Sequence, residues 1–390
     1  MVYTKVVDAD GHILEPPDLW ENYLENNYKD RGIRWKVNDA GLEYLEVDGK
    51  PRVGQRFGAN AALGGIGGYP DKHGDRTKLL TPGIYKYLDG APPGSMDPHE
   101  RIQVMDAEGI DCALIYPTLG IIWEESVTDP GLTAALCRAY NNWLVDFCQP
   151  YPDRLFAIAH IPMLDINDAV TEMRRMAKLG AKGYFIRPDL INGRTLGHPD
   201  FDPIWATAQE TDLPVAPHVV VRVDNPMRAW AGSLTPGSYA IQPDNLVFTF
   251  TYLMLPVQAA FTAMVSTGVF QRFPRLKYVI LESGGGWIAH WLDRLDGKYK
   301  VGKGFSPLQE KPSFYFQRQC YISVDPDEKT TPAMVELLGE DKFVWASDFP
   351  HIDAEYGVVA ELKENIVRLP ESAQRKILGE NAAKIYCLPM

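Results

Sequence analysis

The sequence predicts an α/β fold, a (β/α)8 barrel built over most of its 390 residues. Three observations predict it. Eight short apolar runs alternate with amphipathic helical runs, the pattern of a parallel sheet wound with helices. Ionisable residues collect at the C-terminal ends of those runs, where a barrel places its chemistry. A hydrophobic content of 45% supplies enough apolar side chains for one large core.

The elements follow in order. TKVVDAD (4–10) is the first strand: it is apolar, short, and followed by a break at Pro16-Pro17. A long insertion then runs from 14 to 98, a loop expected to act as a lid over the barrel mouth. It contains a hairpin in LEYLEVDGKPRV, with Asp48-Gly49 at the turn. It also contains a glycine-rich stretch, GANAALGGIGGYP, read as a flexible loop because no strand-to-helix context makes it a dinucleotide fingerprint. After the helix HERIQVMDAEG come CALIYP, RLFAIAHIP, KGYFIRP and LPVAPH as strands two to five, separated by helical runs such as DAVTEMRRMAKLG. A second long connection, 219 to 249, carries Trp230, Tyr239 and Phe248 and is expected to wall the pocket. KYVILES, CYISVD and FVWASD complete the eight strands, and AEYGVVAELKENIVRL is the helix after the last. Several helices stop at Gly or Pro, as helix ends should. The whole chain, 1–390, is expected to be one domain.

Composition excludes some partners. A formal net charge of −12 disfavours nucleic acid and anionic membrane surfaces. No long uninterrupted apolar run predicts a transmembrane helix, and MVYTKVVDAD lacks a signal-peptide pattern. The five cysteines are scattered without a CxxC pair. These features suggest a reduced, cytoplasmic protein without a thiolate zinc site.

The strand ends carry the chemistry. Strand one ends in Asp10-Gly-His12, strand five in His218, strand six in Glu282-Ser283 before a glycine run, and strand eight in Asp348 with His351 just beyond. Residues two apart on a strand share a face, so Asp10 and His12 point together into the mouth, with Asp8 one step deeper. Burying such groups costs several kcal/mol unless they pair or bind a cation. A divalent metal accounts for carboxylates and imidazoles in one place, and oxygen and nitrogen donors suit Zn, Fe or Mn.

These residues resemble the amidohydrolase-related barrel metalloenzymes, a family of hydrolases and aromatic-acid decarboxylases. The resemblance covers nearly the whole chain and is most specific in DADGHILEPPDLW, GHPDFDPIW, ESGGGW, WASDFPH and ILGENAAKIY. It implies Asp10, His12, His218 and Asp348 as metal ligands. Two departures stand out: Asp10 replaces the commoner His, and Ser283 stands where decarboxylase-like members often carry His. Glu282, His290 and His351 are further candidate ligands and catalytic groups, completing a second metal site. A site this rich in oxygen donors favours iron. It is similar to that of the non-haem di-iron monooxygenases of this superfamily, known from bacterial diterpenoid biosynthesis. That resemblance implies two Fe, O2 and an apolar, CoA-linked substrate, and the superfamily habit implies a homodimer. The alternatives are a mononuclear Zn or Mn hydrolase or non-oxidative decarboxylase, and a non-catalytic ligand-binding barrel.

Other candidates are His160 at the end of strand three, facing the mouth as a catalytic or satisfied core residue, and Arg187 at the end of strand four. Arg187 is read as a substrate carboxylate or phosphate anchor, or as an ion pair with a barrel acid. Trp287 lines the pocket or packs in the core. His198 is read as structural, and His73 and His99 receive no role.

Overall fold

The computed structural model describes residues 5–52, 63–68, 76–220 and 246–389. Its centre is an eight-stranded parallel barrel. The strands are β1 (Val7–His12), β5 (Cys112–Tyr116), β6 (Leu155–His160), β7 (Gly183–Ile186), β8 (Val215–Pro217), β9 (Tyr278–Ile280), β10 (Cys320–Val324) and β11 (Phe343–Trp345), hydrogen-bonded in that order. They are the eight apolar runs of the sequence. The ring meets itself beyond β11: Asp348 N donates to Asp10 O at 3.1 Å and His12 N to Phe349 O at 2.6 Å. Both bonds lie at the C-terminal mouth, so closure itself brings the ends of the first and last strands together.

Helices cover the barrel because each has one apolar side. In Ile166–Lys178 the buried residues are Ala169, Glu172, Met173 and Met176, at helical spacing. Asp165 caps its N-terminus by accepting from Asn167 N and Asp168 N, and Arg175 and Lys178 sit in its last turn. Cys112, Cys137, Cys148 and Cys320 are buried free thiols. Among the described residues no helix is long and apolar enough to cross a membrane.

The insertion holds a three-stranded antiparallel sheet rather than a hairpin alone: β2 (Arg34–Val37), β3 (Glu43–Val47) and β4 (Lys50–Pro51). The expected turn is present, with Asp48 and Gly49 both left-handed at φ 54° and 69°. β2 escaped the sequence reading because RWKV mixes charge and apolar residues on a half-exposed strand. The insertion is tied to the segments that follow β5 and β11. Arg52 Nε donates to Ile122 O at 2.6 Å, and Arg76 donates to Ile352 O and to Ala354 O. Much of the glycine-rich stretch, His73, and Trp230 and Tyr239 of the second long connection lie outside the described residues, as does the side chain of Phe248.

Candidate metal centre

β1 delivers the first donors. Asp8, Asp10 and His12 alternate along it and are all buried. Gly11 between them answers to space: a Cβ there would lie 2.6 Å from Asp8 Oδ2 and 2.9 Å from Arg101 Nη2. Asp8, read from its depth below Asp10, lies beneath the site. Its carboxylate accepts from Ser347 N at 3.0 Å and from Ser347 Oγ at 2.5 Å. Asp8 thus fixes the residue just before Asp348. The Arg101 guanidinium is the nearby positive charge.

Four strands then bring their ends to one point. His12 Nε2 lies 3.0 Å from His218 Nε2, 3.4 Å from Asp10 Oδ1 and 3.6 Å from Asp348 Oδ1. His218 Nε2 lies 3.6 Å from Asp10 Oδ2 and 2.8 Å from Glu282 Oε2. The backbone sets the tautomers. His12 Nδ1 donates to Pro117 O at 3.0 Å, and His218 Nδ1 donates to Val219 O at 2.8 Å. A neutral ring so held turns the lone pair of Nε2 outward, and here two such lone pairs face each other. Both carboxylate oxygens of Asp10 are buried without a hydrogen bond among the described residues. Two lone pairs in opposition beside an unsatisfied carboxylate are unfavourable unless a cation joins them. The donors fall into two overlapping groups, Asp10–His12–His218 and His12–Glu282–Asp348–His351, each with its ligand atoms within 4.8 Å of one another. Nitrogen and oxygen donors of this kind fit a divalent metal.

The electrostatics of the side chains alone carry the same tension. Burial raises Asp10 well above the usual carboxylate range, against the pull of His218. Burial, then His351 and His218, lower His12 well below an ordinary imidazole. Burial pulls His218 down too, but Glu282 and Asp10 outweigh it and raise the ring to about 9, so the side chains alone would place a proton where a metal would otherwise join the two rings. Burial and then Glu282 drive Asp348 upward. Glu282 and Asp348 also share a backbone peculiarity: both are left-handed, at φ 43° and 54°. Non-glycine residues rarely adopt that region, and it turns both carboxylates off the line of their strands. Beyond Glu282, the glycine run is clamped by Glu328, whose carboxylate accepts from Gly285 N at 2.8 Å and from Gly286 N.

The remaining predicted residues divide. His351 joins the cluster, with Nδ1 2.6 Å from Asp348 Oδ1 and Nε2 2.9 Å from Thr118 Oγ1. His290 does not, which corrects its reading as ligand and catalytic group. On helix Ile288–Gly302 the buried residues are Ile288 and Leu292, and two helical steps of 100° carry His290 to the exposed side. His160 is buried, with Nε2 3.1 Å from Glu124 Oε2. Arg187 Nε lies 3.4 Å from Glu124 Oε1, so the acid that faces it comes from the short helical segment after β5 and not from a barrel strand. Trp287 donates from Nε1 to Ser283 O at 3.1 Å and packs on Phe261 and Trp291. His198 accepts from Asp200 N at the start of a short helical turn, the structural place expected of it.

The sequence reading missed Glu124, Glu15 and Thr118. Glu15 is buried and accepts from Leu119 N at 2.8 Å and from Thr118 N at 3.2 Å. It thereby fixes the loop whose threonine holds His351. Glu15 sits in the quoted HILEPP segment, and a buried acid directly before Pro-Pro was the available signal.

A barrel whose mouth gathers imidazoles and carboxylates from strands one, five, six and eight defines a metal-site barrel class. The chain belongs to the amidohydrolase family, whose model matches residues 7–388. A curated relative is 2-amino-3-carboxymuconate-6-semialdehyde decarboxylase of Dictyostelium discoideum, 24% identical over 320 residues, covering 80% of this chain and 82% of the relative. An amidohydrolase of Mycobacterium avium subsp. paratuberculosis K-10 shares the fold with a TM-score of 0.79 at 24% identity, covering 99% of this chain and all of the other. So does a dihydroxybenzoic acid decarboxylase of Polaromonas sp. JS666, solved with manganese and 2-nitroresorcinol, with a TM-score of 0.64 at 17% identity, covering 99% and 98%.

These findings correct the narrower expectation. The di-iron monooxygenase reading, and with it O2 and the preference for iron, is overturned: the curated relatives are mostly decarboxylases, and manganese is the metal named in a solved one. An oxygen-rich donor set does not by itself select iron, because carboxylate and water donors suit manganese equally well.

Proposed function

We propose that the chain is a metal-dependent, non-oxidative decarboxylase of aromatic or similarly conjugated carboxylic acids. The observation that carries this reading is the pair of opposed Nε2 atoms, 3.0 Å apart, beside the unsatisfied carboxylate of Asp10. The decarboxylases among the relatives support the choice of reaction.

Asp10, His12 and His218 would hold the metal, with Glu282 and Asp348 beside them. A bound divalent metal supplies Lewis-acid stabilisation of negative charge on substrate oxygens. The Pro117 and Val219 carbonyls keep the two imidazoles in the ligating tautomer. His351 orients Asp348 through Nδ1, and Thr118 orients His351 in turn. Asp348 holds the proton: burial, followed by Glu282, Asp353 and Asp10, favours its protonated form. In the reaction the bond from ring carbon to carboxylate breaks and CO2 departs. The electron pair remains on carbon, and the Asp348 proton forms the new C–H bond. A proton from solvent then reloads Asp348, so that carboxylate plus one proton gives the C–H product and CO2. Phe185, whose ring lies 5.7 Å from that of His218, and the buried strand ends around it keep bulk water from the reacting carbon.

The test is CO2 release from 2,6-dihydroxybenzoate and related hydroxybenzoates by the manganese-loaded protein. Release that stops with a chelator and returns with manganese is the expected result. Amide or ester hydrolysis without CO2 release would overturn it.

A further inference from the structure

The barrel mouth has a second polar group, remote in chemistry from the metal donors. Arg187 follows β7. Phe185, two residues earlier, turns its ring to His160 at 4.8 Å and to His218 at 5.7 Å, so it faces inward. Strand alternation puts Arg187 on the same inward side, one step nearer the opening. The register pairs Ile186 with Pro217, so Arg187 and His218 come next as neighbours. Arg187 is only 7% exposed.

Its charge is poorly used by the protein. Among the described residues its ionic partner is Glu124, 3.4 Å from Nε, and neither Nε nor Glu124 Oε1 makes a hydrogen bond. The other oxygen of Glu124 is engaged by His160. Arg52 and Arg101, both fully buried, each spend a donor on a backbone carbonyl: Arg52 on Ile122 O and Arg101 on His12 O, each at 2.6 Å. A guanidinium carries five N–H donors in a planar fork that matches a carboxylate. Burying even the Nε donor unspent is costly, and a ligand carboxylate taken by the fork offsets that cost.

Resting on the decarboxylase reading, we infer that Arg187 binds a carboxylate that stays on the substrate, so that the substrate is a dicarboxylic acid. Its departing carboxylate lies at the metal donors and its retained one at Arg187. The arginine does not hold the departing group. A cation gripping that carboxylate would stabilise the ground state and oppose the flow of charge into the ring. A retained carboxylate keeps its charge throughout, so its grip is the same in ground and transition states and appears in KM.

The experiment uses the full, manganese-loaded chain and two unreactive probes, benzene-1,3-dicarboxylate and benzoate, titrated by calorimetry. The diacid should bind at least about tenfold more tightly, the scale of a charged hydrogen-bonded pair. Arg187→Met should erase that difference and leave benzoate within about twofold, because a hydrogen-bonded charge pair is what the substitution removes. In turnover of a diacid, KM should rise while kcat holds. Glu124→Gln leaves Arg187 in place and removes its competing anion, so it should tighten the diacid; this variant carries the test if Arg187→Met melts early. Equal binding of both probes by the unaltered protein, or equal loss of both in Arg187→Met, overturns the inference. Diacid preference without CO2 release from any aromatic acid overturns the decarboxylase reading and leaves the anion anchor standing.

Discussion

Two sides of one barrel mouth solve opposite problems. On the side of β1, β8, β9 and β11, donors converge without satisfying each other: the Asp10 carboxylate has no hydrogen bond among the described residues, and two imidazole nitrogens oppose one another. On the side of β6 and β7, Glu124 sits between a histidine and an arginine, and its charge is balanced from within. The pKa directions separate the two. Burial wins at Asp10 and Asp348, which rise. At Glu124 burial also pushes up, but Arg187 and His160 prevail and hold it below the ordinary value of 4.5. The first cluster calls for a cation; in the second the acid is balanced, and the arginine donors it leaves over suit an anion.

The comparison breaks most readily on the unsatisfied side. His218→Ala should reduce metal content well below one per chain and cut kcat by on the order of 10³-fold, the worth of several kcal/mol of charge stabilisation. Metal analysis together with turnover checks it, and full metal occupancy in that variant would show that the cluster is not the centre. Next comes Thr118→Val, which leaves every donor in place but frees His351 on one side. A loss of about 10- to 100-fold in metal affinity or activity is expected, as for other groups that orient ligands.

A smaller effect separates two buried acids by pH. Burial raises Glu15 from 4.5 to about 7, although the Leu119 and Thr118 amides pull it down. The folded chain then keeps a proton that the unfolded chain releases, so stability falls as pH rises from 4.5 to 7. Glu124 works the other way: its stabilisation is complete above 4.5 and is lost as pH falls through its lowered value. Melting temperature against pH should flatten between 4.5 and 7 in Glu15→Gln, and only below 4.5 in Glu124→Gln. Both variants flattening the same window would contradict the assignment. The smallest effect is His290→Ala. At an exposed helical position it should shift stability by no more than about 0.5 kcal/mol and leave metal content unchanged.

Much of this was legible in the chain. All eight strands were, because each is a short apolar run cut by turn residues, and the donors at their ends follow from alternation. His290 misled because nearness in sequence is not nearness in phase: it lies beside ESGGGW, but on the outer side of its helix. Glu124 was illegible because it lies eight residues past β5, in helical turns too short to show a period that tells what faces inward. The metal and the reaction were misread for another reason. Donor types restrict chemistry to a class, and several metals and reactions share that class.

The left-handed backbone at Glu282 and Asp348 bears on how this protein would answer selection. Glycine or asparagine sits in that conformation with less penalty, and replacing either carboxyl also removes a buried acid whose ionisation burial opposes. A library screened for heat tolerance alone should therefore enrich Glu282→Gly and Asp348→Asn, and its winners would be robust barrels that have lost their chemistry.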